Sequence, residues 1–165
     1  MDGQELLLDK NKSAFKLKGL PHIYWLNLDA DTHRRDYMES QFRYWEIENH
    51  TRISGFDGRD DDVCQYLSGI APDDMSLNEI GCCMSHLKAI KHFYENTDDE
   101  YCMVVEDDVD FSIAKTWKFC WQDLLVLSLP AERLRMVLLQ LLLVLGNGGL
   151  LIIMNIHLTA LLRVI

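Results

Sequence analysis

Basic charge is scarce in this chain. Sixteen lysines and arginines face 26 aspartates and glutamates over 165 residues, a formal net charge of -10. Phosphate neutralisation along a nucleic acid needs clustered cations, so the composition argues against a nucleic-acid binder. An anionic substrate is compatible with such a surface only where a bound cation or local arginines invert the field. No secretory leader is expected either: Met1-Asp2-Gly3-Gln4-Glu5 shows no basic stretch followed by an apolar one, and a cytoplasmic location is expected with it. The five cysteines (64, 82, 83, 102 and 120) show neither Cys-x-x-Cys nor Cys/His zinc spacing, and their number is odd. Free, buried thiols in a reducing compartment are expected rather than disulfides.

Charge of either sign is absent between Arg135 and Arg163, and acidic residues nearly vanish beyond Leu124, leaving Glu132. Three readings of residues 124–165 stand open: a frameshifted or truncated end, strands and helices of the same domain, or a membrane-contacting tail. Gly146-Asn147-Gly148-Gly149 breaks the apolar run into pieces shorter than the ~18 residues a spanning helix needs.

The rest of the chain is one domain's worth of residues with alternating strand and helix signals. Residues 1–20 form a polar extension, and residues 21–123 form the interpretable domain. His22-Ile23-Tyr24-Trp25-Leu26-Asn27-Leu28 reads as a buried strand. Residues 29–32 carry helix-start chemistry, followed by Tyr37, Met38, Phe42 and Trp45 at helical spacing. A short strand and turn over residues 52–58 comes next, then an aspartate-rich loop over residues 59–74. Ser76-Leu77-Asn78-Glu79 is a capping box. The helix it opens has Ile80, Met84, Leu87, Ile90 and Phe93/Tyr94 as its expected apolar stripe, with Cys83 and Met84 assigned to the core. Gly81 inside that helix costs about 1 kcal/mol relative to alanine, which points to close approach of another backbone or a ligand. A strand over residues 101–105 and an amphipathic segment over residues 117–127 complete a mostly parallel α/β sheet.

The strand at residues 101–105 ends in Glu106-Asp107-Asp108, three adjacent carboxylates. Like charges this close repel, and more so beside a sheet than in bulk water. A divalent cation resolves the conflict, and hard oxygen ligands select Mg²⁺ or Mn²⁺. Ligands of open α/β sheets bind at the carboxyl ends of strands, where this triplet stands. The competing reading is a solvated acidic turn.

Four segments occur in a telling order: Ile23-Tyr24-Trp25-Leu26-Asn27-Leu28-Asp29 with Arg34-Arg35; Arg52-Ile53-Ser54-Gly55-Phe56-Asp57-Gly58; Leu77-Asn78-Glu79-Ile80-Gly81-Cys82-Cys83-Met84-Ser85-His86; and Val104-Val105-Glu106-Asp107-Asp108-Val109. Together they resemble glycosyltransferase family 25, which contains lipooligosaccharide β-galactosyltransferases and procollagen galactosyltransferases. The resemblance covers about residues 21–111 and fades over residues 117–130. It implies a GT-A-like, Rossmann-type nucleotide-sugar-binding domain, incomplete on its C-terminal side, and an inverting hexosyltransferase role in, for example, lipopolysaccharide biosynthesis. It implies a UDP-sugar donor carrying galactose or glucose, a glycan or protein hydroxyl as acceptor, and Mn²⁺ or Mg²⁺ as cofactor. Glu106 and Asp108 then hold the metal as a DxD-type motif, and Asp107 either joins them or caps the next turn. Asn27 and Leu28 are placed to meet the uracil or ribose. Arg34 and Arg35 suit a diphosphate through forked, charge-assisted hydrogen bonds, or pair with Asp31 and Glu39 at the surface. Ser85 and His86 take a cleft role.

Inversion also needs a base for the acceptor hydroxyl. Beyond Asp123 the chain offers only Glu132. Transfer therefore competes with nucleotide-sugar binding without turnover, or with a membrane-anchored remnant. A phosphatase reading of Asp108-Val109-Asp110-Phe111-Ser112 lacks the downstream lysine and acidic pair that chemistry requires.

Overall fold

A computed structural model describes residues 14–59, 75–99, 101–123, 137–139 and 151–155. β1 (His22–Asn27) lies between β2 (His50–Ser54) and β3 (Tyr101–Glu106) and runs parallel to both. Its residues Ile23 to Asn27 are all buried, as a strand covered on both faces requires. β4 (Val137–Leu139) and β5 (Leu151–Asn155) extend the sheet antiparallel, in the order β2-β1-β3-β5-β4. The sheet is thus mixed rather than mostly parallel, with a parallel three-strand half. The described parts of the leucine-rich tail are strands of this sheet; the remainder of residues 124–165, including Glu132, lies outside the described residues. So do residues 1–13 and 60–74, with most of the N-terminal extension, the aspartate-rich loop and Cys64.

Two helices cover the parallel half on opposite faces. α1 (Thr32–Trp45) starts at Asp31, whose carboxylate accepts from the Arg34 backbone N–H at 3.1 Å. It buries Met38, Phe42 and Trp45 against Trp25, Met103, Val105 and Val109. It ends on Glu46 at φ 58°, a left-handed cap that costs a non-glycine residue roughly 1–2 kcal/mol. α2 (Leu77–Asn96) begins with the capping box read from the sequence: Ser76 Oγ accepts from the Glu79 N–H, and the Glu79 carboxylate accepts from the Ser76 N–H. Its buried apolar residues Ala89 and Phe93 meet Tyr24, Leu26, Ile53, Cys102 and Val104.

The buried face of α2 departs from the expected stripe. Ile80, Gly81, Ser85, His86, Ala89 and Phe93 are buried, whereas Leu87 and Tyr94 are 38% and 41% exposed and Cys83 is exposed. Only Ile80 and Phe93 are common to the expected stripe and the fully buried set. The first turns of α2 pack on the loop after β2 and on the end of β3, which demand small and polar groups. Among the described cysteines all four are free, but only Cys102 is buried. The expected amphipathic segment is also broken. Phe111–Thr116 forms a 3₁₀ helix, residues 117–120 are irregular, and a helical turn at 121–123 seats Trp121 in the core.

From β1 the chain moves to β2 on one side through α1. From β2 it crosses to β3 on the other side through α2. The direction of winding reverses at β1, so the carboxyl ends of β1 and β3 flank a switch-point crevice.

Candidate functional site

Strand alternation separates the acidic triplet. Met103 and Val105 face α1 and Cys102 and Val104 face α2, so Asp107 continues toward α1 and Glu106 toward α2. Asp107 is 7% exposed. Its Oδ2 accepts from Asn27 Nδ2 at 2.7 Å and its Oδ1 from Arg34 Nη1 at 2.9 Å. Burying a polar group costs free energy unless it is hydrogen-bonded in this way. The bond to Asp107 raises the Arg34 guanidinium pKa further.

Asn27 is the hub of this face. Besides Asp107, its amide donates to the Asp31 carbonyl at 3.0 Å; its Oδ1 accepts from Arg52 Nε at 3.0 Å and from Arg35 Nε at 3.4 Å. An asparagine side chain has two donors and two acceptor sites, and all four are used. Arg35 also donates to the Asp29 carbonyl at 3.0 Å. Arg52 reaches the Asp29 carboxylate and the Asn27 carbonyl, and Ser54 Oγ donates to Asp29 Oδ2 at 2.9 Å. These bonds, Arg52 first, hold the Asp29 carboxyl below its usual range.

On the α2 face, two glycines let backbones meet. A Cβ on Gly81 would lie 2.7 Å from the Gly58 nitrogen and 2.8 Å from the Phe56 carbonyl oxygen; one on Gly58 would lie 1.8 Å from the Leu77 carbonyl oxygen. The close approach expected at Gly81 is therefore to the loop after β2. Ser85 fastens the same loop, donating to the Gly81 carbonyl at 2.7 Å and accepting from the Phe56 N–H at 2.8 Å.

Glu106 meets two α2 side chains. Cys82 Sγ donates to its Oε1 at 3.4 Å, and His86 Nε2 lies 3.3 Å from the same oxygen. His86 is the first cause of a lowered Glu106 carboxyl pKa, working against burial. Asp108 is exposed, and its carboxyl is pushed up by desolvation and then by Glu106. The Cys82 thiol is raised to about 12 by burial and by Glu106.

Between the two faces opens a cleft of about 310 Å³. Asn27, Leu28, Asp31 and Arg34 line one wall; Gly55 to Arg59 line the second; Asn78, Cys82 and Ser85 come from α2; Glu106 and Asp107 form the base. Arg59 folds onto Asp57, donating to Oδ2 at 2.6 Å and drawing the Asp57 carboxyl down to about 2.

The profile of glycosyltransferase family 25 (LPS biosynthesis protein) matches residues 20–134. The chain belongs to this family. The match spans all four motif segments and runs past residue 123, across the stretch where resemblance by eye fades, to include Glu132. No curated protein matches the chain. Membership in glycosyltransferase family 25 implies glycosyl transfer in general terms, with a nucleotide-sugar donor and a glycan acceptor as the broad partner classes.

Of the residues singled out in this family 25 sequence, the cleft gathers Asn27, Leu28, Arg34, Ser85, Glu106 and Asp107. His86 stands behind Glu106, and Arg35 is drawn back to Asn27 and Asp29. Asp29 and Arg52 lie inside the motif segments without a spacing that signals their pairing, which depends on β1 and β2 being neighbours. Among the described residues, no helix is long and apolar enough to cross a membrane.

Proposed function

We propose that this chain carries the donor-binding half of a GT-A-type hexosyltransferase. The donor is a UDP-sugar, with galactose or glucose as the hexose, and the acceptor is a hydroxyl on a glycan or protein. The observation that supports it most is the juxtaposition, at one switch-point cleft, of the half-exposed Arg34 guanidinium and the strand-end carboxylate of Glu106, with the exposed Asp108 beside the cleft and within electrostatic reach of both.

The donor set suits a hard divalent cation. Asp107 is already ion-paired with Arg34 and hydrogen-bonded by Asn27, whereas Asp108 is left exposed, its carboxyl raised in part by Glu106. Glu106 and Asp108 are then the residues that hold Mn²⁺ or Mg²⁺. When bound, that cation offsets the charge developing on the departing UDP.

The protein groups have separable tasks. Asp107 and Asp31 hold Arg34 from behind, leaving its remaining N–H groups for diphosphate oxygens. Asn27, with no unused polar capacity, is a positioning residue that locks Asp107, Arg35 and Arg52 in place. Leu28 supplies an apolar wall for the base. Ser85 fixes the loop that forms the second wall, and His86 orients Glu106.

The test is thermal melting of the full chain with Mn²⁺ and UDP-galactose or UDP-glucose. A ligand bound only by the folded state raises the melting temperature. Lack of a shift with both nucleotide-sugars would sink the donor-site reading. A shift without UDP release, on offering glycan acceptors, assigns binding without turnover.

A further inference from the structure

Cys82 and His86 lie one helical turn apart on α2, and Glu106 ends β3 in front of them. No Cys/His zinc spacing is evident in the linear sequence, because the third member comes from a strand 20 residues beyond His86. The Cys82 Sγ, the His86 ring nitrogen and the Glu106 carboxylate oxygen all lie within 4.8 Å of one another. A tetrahedral zinc site with ordinary bond lengths separates its ligand atoms by roughly 3.3–3.6 Å. The sulfur-to-oxygen and nitrogen-to-oxygen separations, 3.4 and 3.3 Å, already match. The remaining edge closes through rotation of the accessible Cys82 side chain. Among the described residues His86 Nδ1 is buried without a hydrogen-bond partner, and Nε2 is the ring nitrogen that faces Glu106. Cys82 and Glu106 both line the cleft, so a cation held between them is reached from it.

We propose that Cys82, His86 and Glu106 bind a borderline divalent cation, Zn²⁺ or Co²⁺, and that this cation competes with the hard cation of the donor site because Glu106 is common to both. The competition rests on the donor-site reading above; the three-residue site does not. Thiolate and imidazole select zinc and cobalt over manganese and magnesium, whereas the carboxylate pair Glu106 and Asp108 selects the harder ions. On binding, the Cys82 proton is lost to solvent and the thiolate takes its place on the cation.

The experiment is Co²⁺ titration of the full chain in thiol-free buffer, followed by absorption spectroscopy. Wild type and Cys83→Ser should develop a thiolate-to-cobalt charge-transfer band and the strong visible bands of tetrahedral cobalt. Cys82→Ser should lose the charge-transfer band. Its absence from wild type, or its persistence in Cys82→Ser, overturns the site. A readout that needs no variant is alkylation followed by fragment mass mapping. Stoichiometric Zn²⁺ should slow modification of Cys82 on the order of tenfold while sparing Cys83, since a metal-bound thiolate is shielded from the reagent. Equal protection of both cysteines, or of neither, also overturns the site.

Stoichiometric Zn²⁺ should then abolish the Mn²⁺-dependent shift with UDP-galactose in wild type, whereas Cys82→Ser should show the same shift with zinc as that variant shows without it. A shift that survives zinc in wild type, with the cobalt band intact, overturns the competition alone. Cobalt binding with no nucleotide-sugar shift in either protein means that the donor reading has failed while the three-residue site stands.

Discussion

The side-chain amide of Asn27 donates to the carboxylate of Asp107 across 2.7 Å, tying the ends of β1 and β3 together over 80 positions of sequence. Both residues are buried, at 2% and 7% exposure. This one bond orients the anion on which Arg34 rests, so the fold's central strand reaches the candidate diphosphate contact through it.

Asn27→Ala removes two donors and two acceptor sites at once, leaving Asp107 with Arg34 alone and Arg52 Nε without the amide oxygen it donates to. Leaving a buried polar group unsatisfied costs about 1–3 kcal/mol. The variant should lose stability of about that size in urea denaturation with an unchanged m-value. Asn27→Asp should be worse at neutral pH, since it sets a second carboxylate against Asp107, and acidification should narrow its deficit. A neutral or stabilised Asn27→Ala would show that the hub carries no net energy.

The two meeting glycines rank differently from a third nearby. Gly58→Ala drives a Cβ to 1.8 Å from the Leu77 carbonyl oxygen, and Gly81→Ala to 2.7 Å from the Gly58 nitrogen, both fixed backbone. Overpacking of this kind costs about 1–3 kcal/mol and occasionally more. Gly58→Ala should sit at or above the top of that range and Gly81→Ala within it. Gly55→Ala meets first the Ser85 hydroxyl, at 3.2 Å, and should be the mildest of the three. Chemical denaturation of the three variants side by side gives the order.

The Asp29 carboxyl has a folded pKa below its ordinary 3.8, chiefly through Arg52 and then Ser54. A depressed carboxyl contributes stability that is present above the unfolded value and lost as pH falls through the folded one. Asp29→Asn should therefore be less stable than wild type at about pH 7, and the gap should close as the pH drops below about 3.8. Urea midpoints at about pH 7 and about pH 3 measure it. A gap that widens in acid would reverse the sign and exclude the Arg52 bond as its source.

Asp108→Asn separates binding from folding. Asp108 has its carboxyl pushed up by desolvation and Glu106, so removing its charge relieves repulsion and the metal-free variant should melt no lower than wild type. The same change takes away a proposed hard ligand, so the Mn²⁺-dependent shift with UDP-galactose should disappear. Retention of the full shift would move the cation to other residues.

Local signals carried much of this. The apolar run of β1, the Ser76–Glu79 capping box and the demand for close approach at Gly81 are properties of short stretches, and each appears in the structure where its chemistry places it. The tail reading was less decisive: uncharged leucine runs fit strand, helix or foreign sequence alike, and the described pieces turn out to pair antiparallel beyond β3. The buried face of α2 differs from its apolar stripe for a related reason. Helical period alone marks where apolar residues recur, while the surface α2 meets at its start is a loop and a strand end that need Gly81 and Ser85 rather than Leu87.

By itself the sequence determined that three carboxylates would cluster at one strand end and two arginines near one helix start, because residues adjacent in the chain cannot be far apart. Only the tertiary structure decided how they divide. The pleat of β3 sends Glu106 and Asp107 to opposite faces, and the winding order sets α1 over one face and α2 over the other. Asp107 thus meets Asn27 and Arg34, and Glu106 meets Cys82 and His86. Partners 20 to 80 positions away are chosen by sheet order, and a linear string does not contain that order.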